Sequence, residues 1–449
     1  MKLLLAVAAL TLGDGLPTRS PAAVGMSATR LAKIDHVVER GLRAGGFPGA
    51  SVVVGRKGYA VWEKGFGRLG WTSSSGYVVP ERTIYDIASL TKVVGTTTAI
   101  MLLHDEGKIR LDDRVSRFIP AFSGGQKDRV TIEMLLTHRS GLPAGRDIWR
   151  IAHTPWAARE AVIASALVYT PGTRYEYSDL GADILAFVAE AAAGETLDAY
   201  LRRRVFEPLG MEDTGFRPDR TLRDRIAPTD VTSQRGYPLR GEVHDENAFA
   251  LGGVAGHAGL FSTATDLSVF AQMMLNGGEF NGIRLLKPET VELFTRRTAG
   301  SRALGWDTCE GSGSCGKYLS ERAYGHTGFT GTSLWIDPDR EMFVILLTNR
   351  VHAARARRPA KVIADVRADV ADAATLAVMD FGAVPSMPSA FRADRAVGWN
   401  TPARSVRKGK ARYAKSKRKV VRAKSRKPTK KKASTTKKST RKKPTASRS

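Results

Sequence analysis

In the first part of the chain, a helical pattern of apolar residues is followed by an extended pattern. Four apolar residues near the start lie three or four positions apart: Leu31, Ile34, Val38 and Leu42. This spacing predicts an amphipathic helix over residues 28–44. The apolar runs 50–55 and 59–66 follow with a short polar break between them, which predicts a β-hairpin.

The same kinds of pattern return near residue 340. The runs 332–336 and 342–348 predict a second hairpin, and a helix is expected from about 359 to 378. The region between about 88 and 300 is rich in helix and loop signals. Strands at both ends around a helical insert predict an α+β fold, an antiparallel sheet flanked by terminal helices plus a helical lobe. A cleft between the two lobes is the expected place for a site.

Candidate chemistry lies where the apolar run 93–103 begins, directly after Ser89-Leu90-Thr91-Lys92. Residues i and i+3 share a helix face, so the Lys92 amine is expected to reach the Ser89 hydroxyl. A nearby base makes a serine nucleophilic, and a lysine serves as that base when its amine is partly neutral. The predicted helix ends at Gly107. The Ser-x-x-Lys pattern alone is not specific, since it recurs four times in the basic tail. The alternative is that Ser89 only caps a core helix.

Two further segments support the catalytic interpretation. A turn-rich loop, residues 171–181, contains Tyr177-Ser178-Asp179, and the segment 324–338, interpreted as one glycine-punctuated strand, contains His326-Thr327-Gly328. In this order the three motifs resemble the signature of the penicillin-recognising serine enzymes.

Stretches at 135–143, 208–211 and 250–263 also resemble the serine β-lactamase-like family, over roughly residues 28–380. That family contains class C β-lactamases, D-alanyl-D-alanine carboxypeptidases, family VIII esterases and D-aminopeptidases.

The resemblance implies a role for each motif residue. Ser89 would form the acyl-enzyme, Lys92 would help to remove its proton, and Tyr177, favoured over Tyr175 by the loop register, would share the proton transfer. The oxyanion hole would be formed by the backbone N–H groups of Ser89 and Phe329. The predicted substrate-binding residues are Asp179, His326, Thr327, Gly328 and Phe329. The expected substrate is a small amide or ester, with a D-alanyl peptide of peptidoglycan as the leading candidate, and no metal or other cofactor is expected.

Two positions depart from the best-known family pattern. His326 stands where most β-lactamases carry a lysine, so attraction of a substrate carboxylate should be weaker and dependent on pH. This favours a peptidase, aminopeptidase or esterase over an efficient β-lactamase. Asp179 stands where asparagine is usual, and a carboxylate beside Lys92 would raise the pKa of the amine. Either Tyr177 carries more of the base role or Asp179 faces away.

Charge separates the end of the chain from the rest. Residues 401–449 hold 22 Lys and Arg and no Asp or Glu, so they account for +22 of the net charge of +26. With almost no large apolar residue, this tail is expected to be disordered. It is predicted to bind an anionic polymer, either the cell envelope or nucleic acid, through counterion release. The alternatives are a plain solvated linker, and a protein whose enzyme-like domain is inert and whose tail carries the function.

The predicted organisation places a possible signal peptide and leader at 1–27, the catalytic domain at 28–380, a linker at 381–400 and the tail at 401–449. The apolar run 3–12 resembles a secretory h-region and is too short to span a membrane. An extracytoplasmic location and no transmembrane segment are therefore expected. Cys309 and Cys315 flank a short loop that a disulfide could close, although two free thiols are equally compatible with the sequence.

Other sequence motifs do not indicate an additional function. The G-x-G-x-x-G match at 65–70 leads into a loop and not into a helix, so it lacks the context of a dinucleotide site. No G-x-S-x-G elbow occurs, which argues against an α/β-hydrolase. His104, His138, His244 and His257 show no metal-ligand spacing and are expected to make structural hydrogen bonds.

Overall fold

The computed structural model describes residues 15–232, 234–298, 300–352, 360–383 and 385–400. The basic tail 401–449 and the apolar run 3–12 lie outside these residues. Polyanion binding by the tail and a signal peptide at the start therefore stay predictions.

Most of the β structure is antiparallel. The strands of the described residues are β1 (Gly49–Arg56), β2 (Tyr59–Gly67), β3 (Tyr85–Asp86), β4 (Gly215–Phe216), β5 (Leu260–Ser262), β6 (Glu279–Phe280), β7 (Ile283–Arg284), β8 (Asp307–Thr308), β9 (Tyr324–Thr327), β10 (Ser333–Asp337) and β11 (Met342–Thr348). Within them a six-stranded sheet has the order β2-β1-β11-β10-β9-β8. Each neighbouring pair of that sheet is antiparallel, and β1 pairs with β11 from Ala50 opposite Thr348 to Arg56 opposite Met342.

Helices lie on both faces of this sheet. The α-helices of the described residues are α1 (Ala28–Leu31), α2 (Lys33–Arg43), α3 (Thr98–Asp105), α4 (Ile132–Leu136), α5 (Pro155–Ile163), α6 (Asp179–Ala193), α7 (Leu197–Leu201), α8 (Glu207–Leu209), α9 (Glu246–Ala250), α10 (Ala264–Leu275), α11 (Pro288–Thr295), α12 (Ala360–Leu376) and α13 (Arg392–Arg395). The predicted α+β architecture, an antiparallel sheet with terminal helices and a helical lobe, is confirmed.

The core has two main layers because successive side chains of a strand point to opposite faces of the sheet. Val52 and Val54 of β1 belong to the cluster that contains Ile34 of α2 and Val366 of α12. Val53 belongs to the larger cluster, which contains α10 and the helical lobe. Both faces of β1 are therefore buried, which explains why Val52, Val53 and Val54 follow one another without a polar residue between them.

The segment 324–338 differs from the single strand that the sequence predicted. It forms two antiparallel strands, β9 and β10, with Ser333 opposite Thr327 and a tight turn between them. Gly331 in this turn has φ of +109°, and a Cβ there would lie 2.0 Å from Thr348 Oγ1. The reversal thus requires glycine at this position. The same turn brings the motif that begins at His326 against the segment before Ser89.

The helix predicted after Ser89 also forms in a different way. Ala88–Leu90 is a 3-10 turn, Lys92–Thr97 is π-helical, and regular α-helix begins with α3 at Thr98. Short π-helical segments occur frequently at functional sites. Gly107, with φ of +70°, follows the end of the helix as predicted.

The folded domain extends beyond its predicted boundaries on both sides. Met26, within the predicted leader, is buried and pairs with Val378. In the predicted linker 381–400, Phe391 and Trp399 are buried, and the Trp399 indole donates a hydrogen bond of 2.9 Å to Asp365. The linker prediction is therefore wrong for these residues, because their large apolar side chains cover the outer side of α12.

The structure answers the question that the sequence left open about the two cysteines. Cys309 and Cys315 form a disulfide. No helix in the described part of the chain combines the length and the apolar character needed to cross a membrane.

Candidate active site

Ser89 follows a short strand, β3, and a strained turn. Ala88 has φ of +48°, a conformation uncommon for a residue other than glycine. The carboxylate of Asp86 accepts the Ala88 N–H at 2.9 Å and the His244 N–H at 2.7 Å, and so holds this turn. Burial raises the pKa of Asp86 to about 6, although these hydrogen bonds oppose the shift. Strained backbone of this kind is often found at catalytic residues.

Lys92 lies one helical turn from Ser89 and is almost fully buried. Its Nζ donates to Ser89 Oγ at 3.0 Å, to the His257 carbonyl at 3.1 Å and to Asp179 Oδ1 at 2.8 Å. An ammonium group has three protons, and all three are engaged by these acceptors. Burial alone would lower the pKa of Lys92, but Asp179 and Tyr177 raise it above its usual range. The amine is therefore held in its charged form.

Asp179 does not face away from Lys92, which answers one of the two alternatives that the sequence left open. It is the first residue of α6, and the hydroxyl of Ser178 caps this helix by accepting the Gly181 N–H at 3.1 Å. Burial opposes the charge on Asp179, yet Lys92 lowers the pKa of the carboxyl below its usual value. The two side chains are consequently an ion pair at neutral pH.

Tyr177 comes from the loop that precedes α6. Its ring centre lies 5.0 Å from Lys92 Nζ and 4.6 Å from the ring of His138. The buried His138 ring in turn accepts the Ser178 N–H at 3.1 Å, so it fixes the end of this loop. Tyr175, two residues earlier, is about half exposed and packs near Arg302. The predicted register, with Tyr177 next to Lys92, agrees with these contacts.

The turn between β9 and β10 closes the other side of Ser89. Gly328 packs so closely on this segment that a Cβ would lie 2.5 Å from the Ile87 carbonyl oxygen. Thr330 and Thr332 donate hydrogen bonds to the carbonyl oxygens of Asp86 and Ile87. These contacts bring Phe329, the residue after Gly328, to the same cavity as Ser89.

The catalytic cavity, as we name it, has a volume of about 210 Å³. It is lined by Asp86, Ala88, Ser89, Tyr177, Asp179, His244, Asp245, His257, Ala258 and Phe329. Four of the predicted site residues are thus brought together on its walls, and Lys92 lies directly behind Ser89. His326, Thr327 and Gly328 do not line it.

His326 lies behind Tyr177, with their ring centres 6.1 Å apart. Its Nδ1 is 2.8 Å from the Thr327 carbonyl, to which it donates, and its buried Nε2 has no hydrogen-bond partner among the described residues. Burial lowers the pKa of His326 to about 4. The ring is therefore neutral at physiological pH, whereas the sequence led us to expect fractional charge.

A buried charge network next to Lys92 was missed from the sequence. His257 lies between two carboxylates, with Nδ1 2.7 Å from Asp183 and Nε2 2.8 Å from Asp245. Burial opposes the charge on His257, but the two carboxylates raise its pKa well above the usual value. Because the His257 carbonyl accepts from Lys92, this network positions the lysine. The sequence signal was Asp183, a charged residue within the apolar run 182–193.

None of these residues makes a metal centre. Within the described ranges, no group of three or more His, Cys, Asp or Glu side chains is arranged to hold a metal ion. The chemistry that the arrangement offers is that of a serine nucleophile between a fixed ammonium, a tyrosine and the N–H groups of two turns.

Comparison with known proteins identifies relatives of this chain. The Beta-lactamase family profile matches residues 34–368. A protein of Escherichia coli (strain K12), provisionally named a D-alanyl-D-alanine carboxypeptidase, is 32% identical over 382 residues, which cover 75% of this chain and 86% of the relative. An N-acetylmuramyl-L-alanine amidase of Bacillus subtilis (strain 168) is 34% identical over 368 residues, which cover 73% of this chain and 82% of the relative.

A similar fold occurs in a solved structure of a penicillin-binding protein homologue from Caulobacter crescentus. The two structures superpose with a TM-score of 0.61 at 21% sequence identity, over 78% of this chain and 99% of that one. At this level of identity the similarity concerns the fold.

Proposed function

From its membership of the β-lactamase family, which makes the chain a serine hydrolase, we propose a specific reaction. The protein cleaves a D-alanyl amide bond of a peptidoglycan peptide through an acyl-enzyme on Ser89. The observation that carries the proposal is the 3.0 Å contact between Lys92 Nζ and Ser89 Oγ within a cavity that Tyr177 and Phe329 also line. The two named relatives support an amide substrate, since both names describe amide hydrolysis.

In the proposed reaction the Ser89 oxygen adds to the amide carbonyl carbon, and its proton passes to the deprotonated form of Tyr177. The negative charge then develops on the carbonyl oxygen, where the N–H groups of Ser89 and Phe329 would stabilise it. Tyr177 returns the proton to the leaving amine as the C–N bond breaks. Water hydrolyses the resulting ester along the same proton route and releases a carboxylic acid.

Lys92 has an electrostatic role in this scheme. Because its raised pKa keeps it an ammonium ion, it has no lone pair with which to accept the serine proton. The charged amine lies 5.0 Å from the centre of the Tyr177 ring and donates to Ser89 Oγ at 3.0 Å, so it holds the nucleophile in place.

A second candidate function is hydrolysis of an ester or amide without a neighbouring carboxylate, as in an esterase or a D-aminopeptidase of the same family. The observation that favours it is the neutral, buried His326, which offers no positive charge to a substrate carboxylate.

The first test is covalent labelling of the full-length protein with a penicillin, followed by intact-protein and peptide mass spectrometry. We expect an adduct with the mass of the drug on the peptide that contains Ser89, because the β-lactam carbonyl acylates the same oxygen. The Ser89→Ala variant should show no adduct and no turnover. An adduct that persists in Ser89→Ala would contradict the assigned nucleophile.

Two peptides that differ at one end then separate the candidate functions. One ends in D-alanyl-D-alanine with a free carboxylate, and the other ends in the corresponding amide. Preference for the free carboxylate supports the carboxypeptidase, and equal or better cleavage of the amide supports the second candidate. Absence of both an adduct and turnover, for these peptides and for an activated ester, would refute the proposed chemistry.

A further prediction concerns Asp179. Replacing it by asparagine removes a negative charge 2.8 Å from Lys92 Nζ. The pKa of Lys92 should then fall, because Asp179 is one of the groups that raise it, and in this variant the neutral amine would become able to take the Ser89 proton at lower pH. We expect the rising limb of the pH profile of kcat/KM to move to lower pH by about one unit or more.

The control for this shift is Asp147→Asn, which removes an exposed carboxylate paired with Arg150. This variant should leave the pH profile unchanged. If Asp179→Asn leaves the profile in place as well, the ion pair does not tune the catalytic base.

We also propose an extracytoplasmic location. The proposed peptidoglycan substrate lies outside the cytoplasmic membrane, and the disulfide between Cys309 and Cys315 is suited to an oxidising compartment. The predicted signal peptide at the start of the chain is consistent with this location.

A further inference from the structure

A second, larger cavity lies beside the catalytic cavity. Its volume is about 910 Å³, and we name it the basic cavity after its charged residues. The ionisable side chains that line it, tyrosine aside, are Arg217, Arg220, Arg223, Arg240, Asp219 and Glu242. Three aromatic residues contribute apolar wall: Tyr237, Phe249 and Phe261. A cavity of this size accommodates a ligand as large as a short peptide.

Two of the four arginines of the basic cavity have carboxylate partners, since Arg217 pairs with Asp198 and Arg240 lies 3.9 Å from Asp224. Arg220 and Arg223 are exposed, and neither guanidinium has an ion pair or hydrogen bond with a described residue. Arg240 is fixed in place, because it donates to the carbonyl oxygens of Ile226 at 2.8 Å and Asp224 at 2.9 Å. Burial and the nearby Arg223 both lower the pKa of Arg240, against the opposing effect of Asp224. Mutual repulsion of this kind is relieved when an anion binds.

The two carboxylates of the basic cavity already have partners. Asp219 accepts the Thr221 N–H at 2.8 Å and caps the 3-10 turn that carries Arg220 and Arg223. Glu242 accepts the Tyr237 hydroxyl at 2.9 Å and lies 3.3 Å from Arg235. Neither carboxylate forms an ion pair with Arg220 or Arg223, so these two guanidinium groups are available to an anionic ligand.

One chain segment separates the two cavities. Glu242 and Val243 line the basic cavity, and the next two residues, His244 and Asp245, line the catalytic cavity. Asp86, close to Ser89, accepts the His244 N–H at 2.7 Å and fixes this segment against the site. A ligand in the basic cavity therefore lies next to the residues that border Ser89.

From this arrangement we propose that the basic cavity binds an acidic portion of the substrate, distant from the bond that is cleaved, through the guanidinium groups of Arg220 and Arg223. Guanidinium groups bind carboxylates with paired hydrogen bonds, and the aromatic wall can pack against the connecting chain. The proposal rests on the proposed amide hydrolysis and adds a substrate class to it, namely acidic peptides. The catalytic cavity itself holds no free cation for this purpose, because Lys92 is bound to Asp179 and His326 is neutral.

The test uses the full-length protein and a matched pair of peptides. Both end in D-alanyl-D-alanine, and they differ in two residues upstream, which are glutamates in one peptide and glutamines in the other. In the variant Arg220→Glu with Arg223→Glu, we expect KM for the glutamate peptide to rise about tenfold with little change in kcat. KM for the glutamine peptide should stay within about twofold of the wild-type value.

A control variant changes the net charge by the same amount elsewhere. Arg129 and Arg296 are exposed, form no ion pair with a described residue and line neither cavity. The variant Arg129→Glu with Arg296→Glu should leave the difference between the two peptides unchanged. Equal effects of the two double variants, or equal effects on the two peptides, would overturn the proposal.

A binding measurement keeps this test independent of turnover. Fluorescently labelled glutamate peptide is titrated into Ser89→Ala protein, with and without the two cavity substitutions, and anisotropy is recorded. Weaker binding in the substituted protein supports the basic cavity even if no peptide is hydrolysed. Unchanged binding refutes it, and the penicillin adduct on Ser89 separately reports whether the proposed function holds.

Discussion

A Tyr177→Phe substitution is expected to lower kcat/KM for the amide substrate by about 10²- to 10⁴-fold, the usual contribution of a general acid–base residue. The reason is that Asp179 holds Lys92 as an ammonium ion, with all three of its protons donated to acceptors. The hydroxyl of Tyr177, which lines the same cavity as Ser89, is then the group that we propose to exchange a proton with Ser89. Steady-state kinetics on the purified variant, with circular dichroism to verify folding, provide the measurement.

Tyr175→Phe is the matched control, since it removes the same atom two residues away. Tyr175 is about half exposed and does not line the catalytic cavity. Its loss should change kcat/KM by less than about threefold, as for a residue outside the reacting groups. If Tyr175→Phe has the larger effect, the assigned register of this loop is wrong. If neither variant loses activity, Lys92 must release a proton despite its contact with Asp179.

The contact between Ser89 and Lys92 could be predicted because it depends on local spacing. Residues three apart share a face in any right-handed helical turn, so the prediction holds although the backbone is 3-10 and π-helical there and not α-helical. The hairpin β1–β2 was predictable for a similar reason, since its strands and turn are contiguous.

The partner of Lys92 could not be read from the sequence in the same way. Asp179 is 87 positions away from Lys92 along the chain, and their 2.8 Å contact depends on how the start of α6 packs beside the π-helical segment. The neutral state of His326 likewise comes from burial behind Tyr177, which is a tertiary property. The charge states of Lys92, Asp179 and His326 therefore required the packed structure.

The sequence did contain signals for two features that we misjudged, the linker 381–400 and the buried charge network around Asp183. Phe391 and Trp399 are large apolar residues inside a segment that we expected to be a linker, and linkers rarely contain such residues. Asp183 in an apolar helix was a comparable signal, because a carboxylate on a buried helix face requires a partner. Its partner, His257, was expected to make a structural hydrogen bond, and the structure shows that this bond belongs to a charged network.

The second large effect is expected on stability. Asp183 is 1% exposed and lies 2.7 Å from His257 Nδ1, and it also accepts the Gly256 N–H at 3.0 Å. Asp183→Ala would leave the charged His257 with Asp245 as its remaining carboxylate. Breaking one side of a buried ion pair costs about 3 to 5 kcal/mol, so the free energy of unfolding should fall by about that amount. Chemical denaturation monitored by fluorescence measures the change, and Asp147→Ala, at an exposed pair, should alter it by less than about 1 kcal/mol.

The pH dependence of this loss distinguishes the charged network from a simple packing defect. In the folded protein the pKa of His257 is raised well above its usual value of 6.5. Protonation of His257 therefore stabilises the fold fully below about pH 6.5, and this contribution disappears as the pH rises through the folded-state pKa. Because Asp183→Ala weakens the shift, the difference in unfolding free energy between wild type and variant should be largest at acidic pH and should narrow at alkaline pH. A difference that stays constant with pH would mean that Asp183 acts through shape and hydrogen bonding and not through the charge on His257.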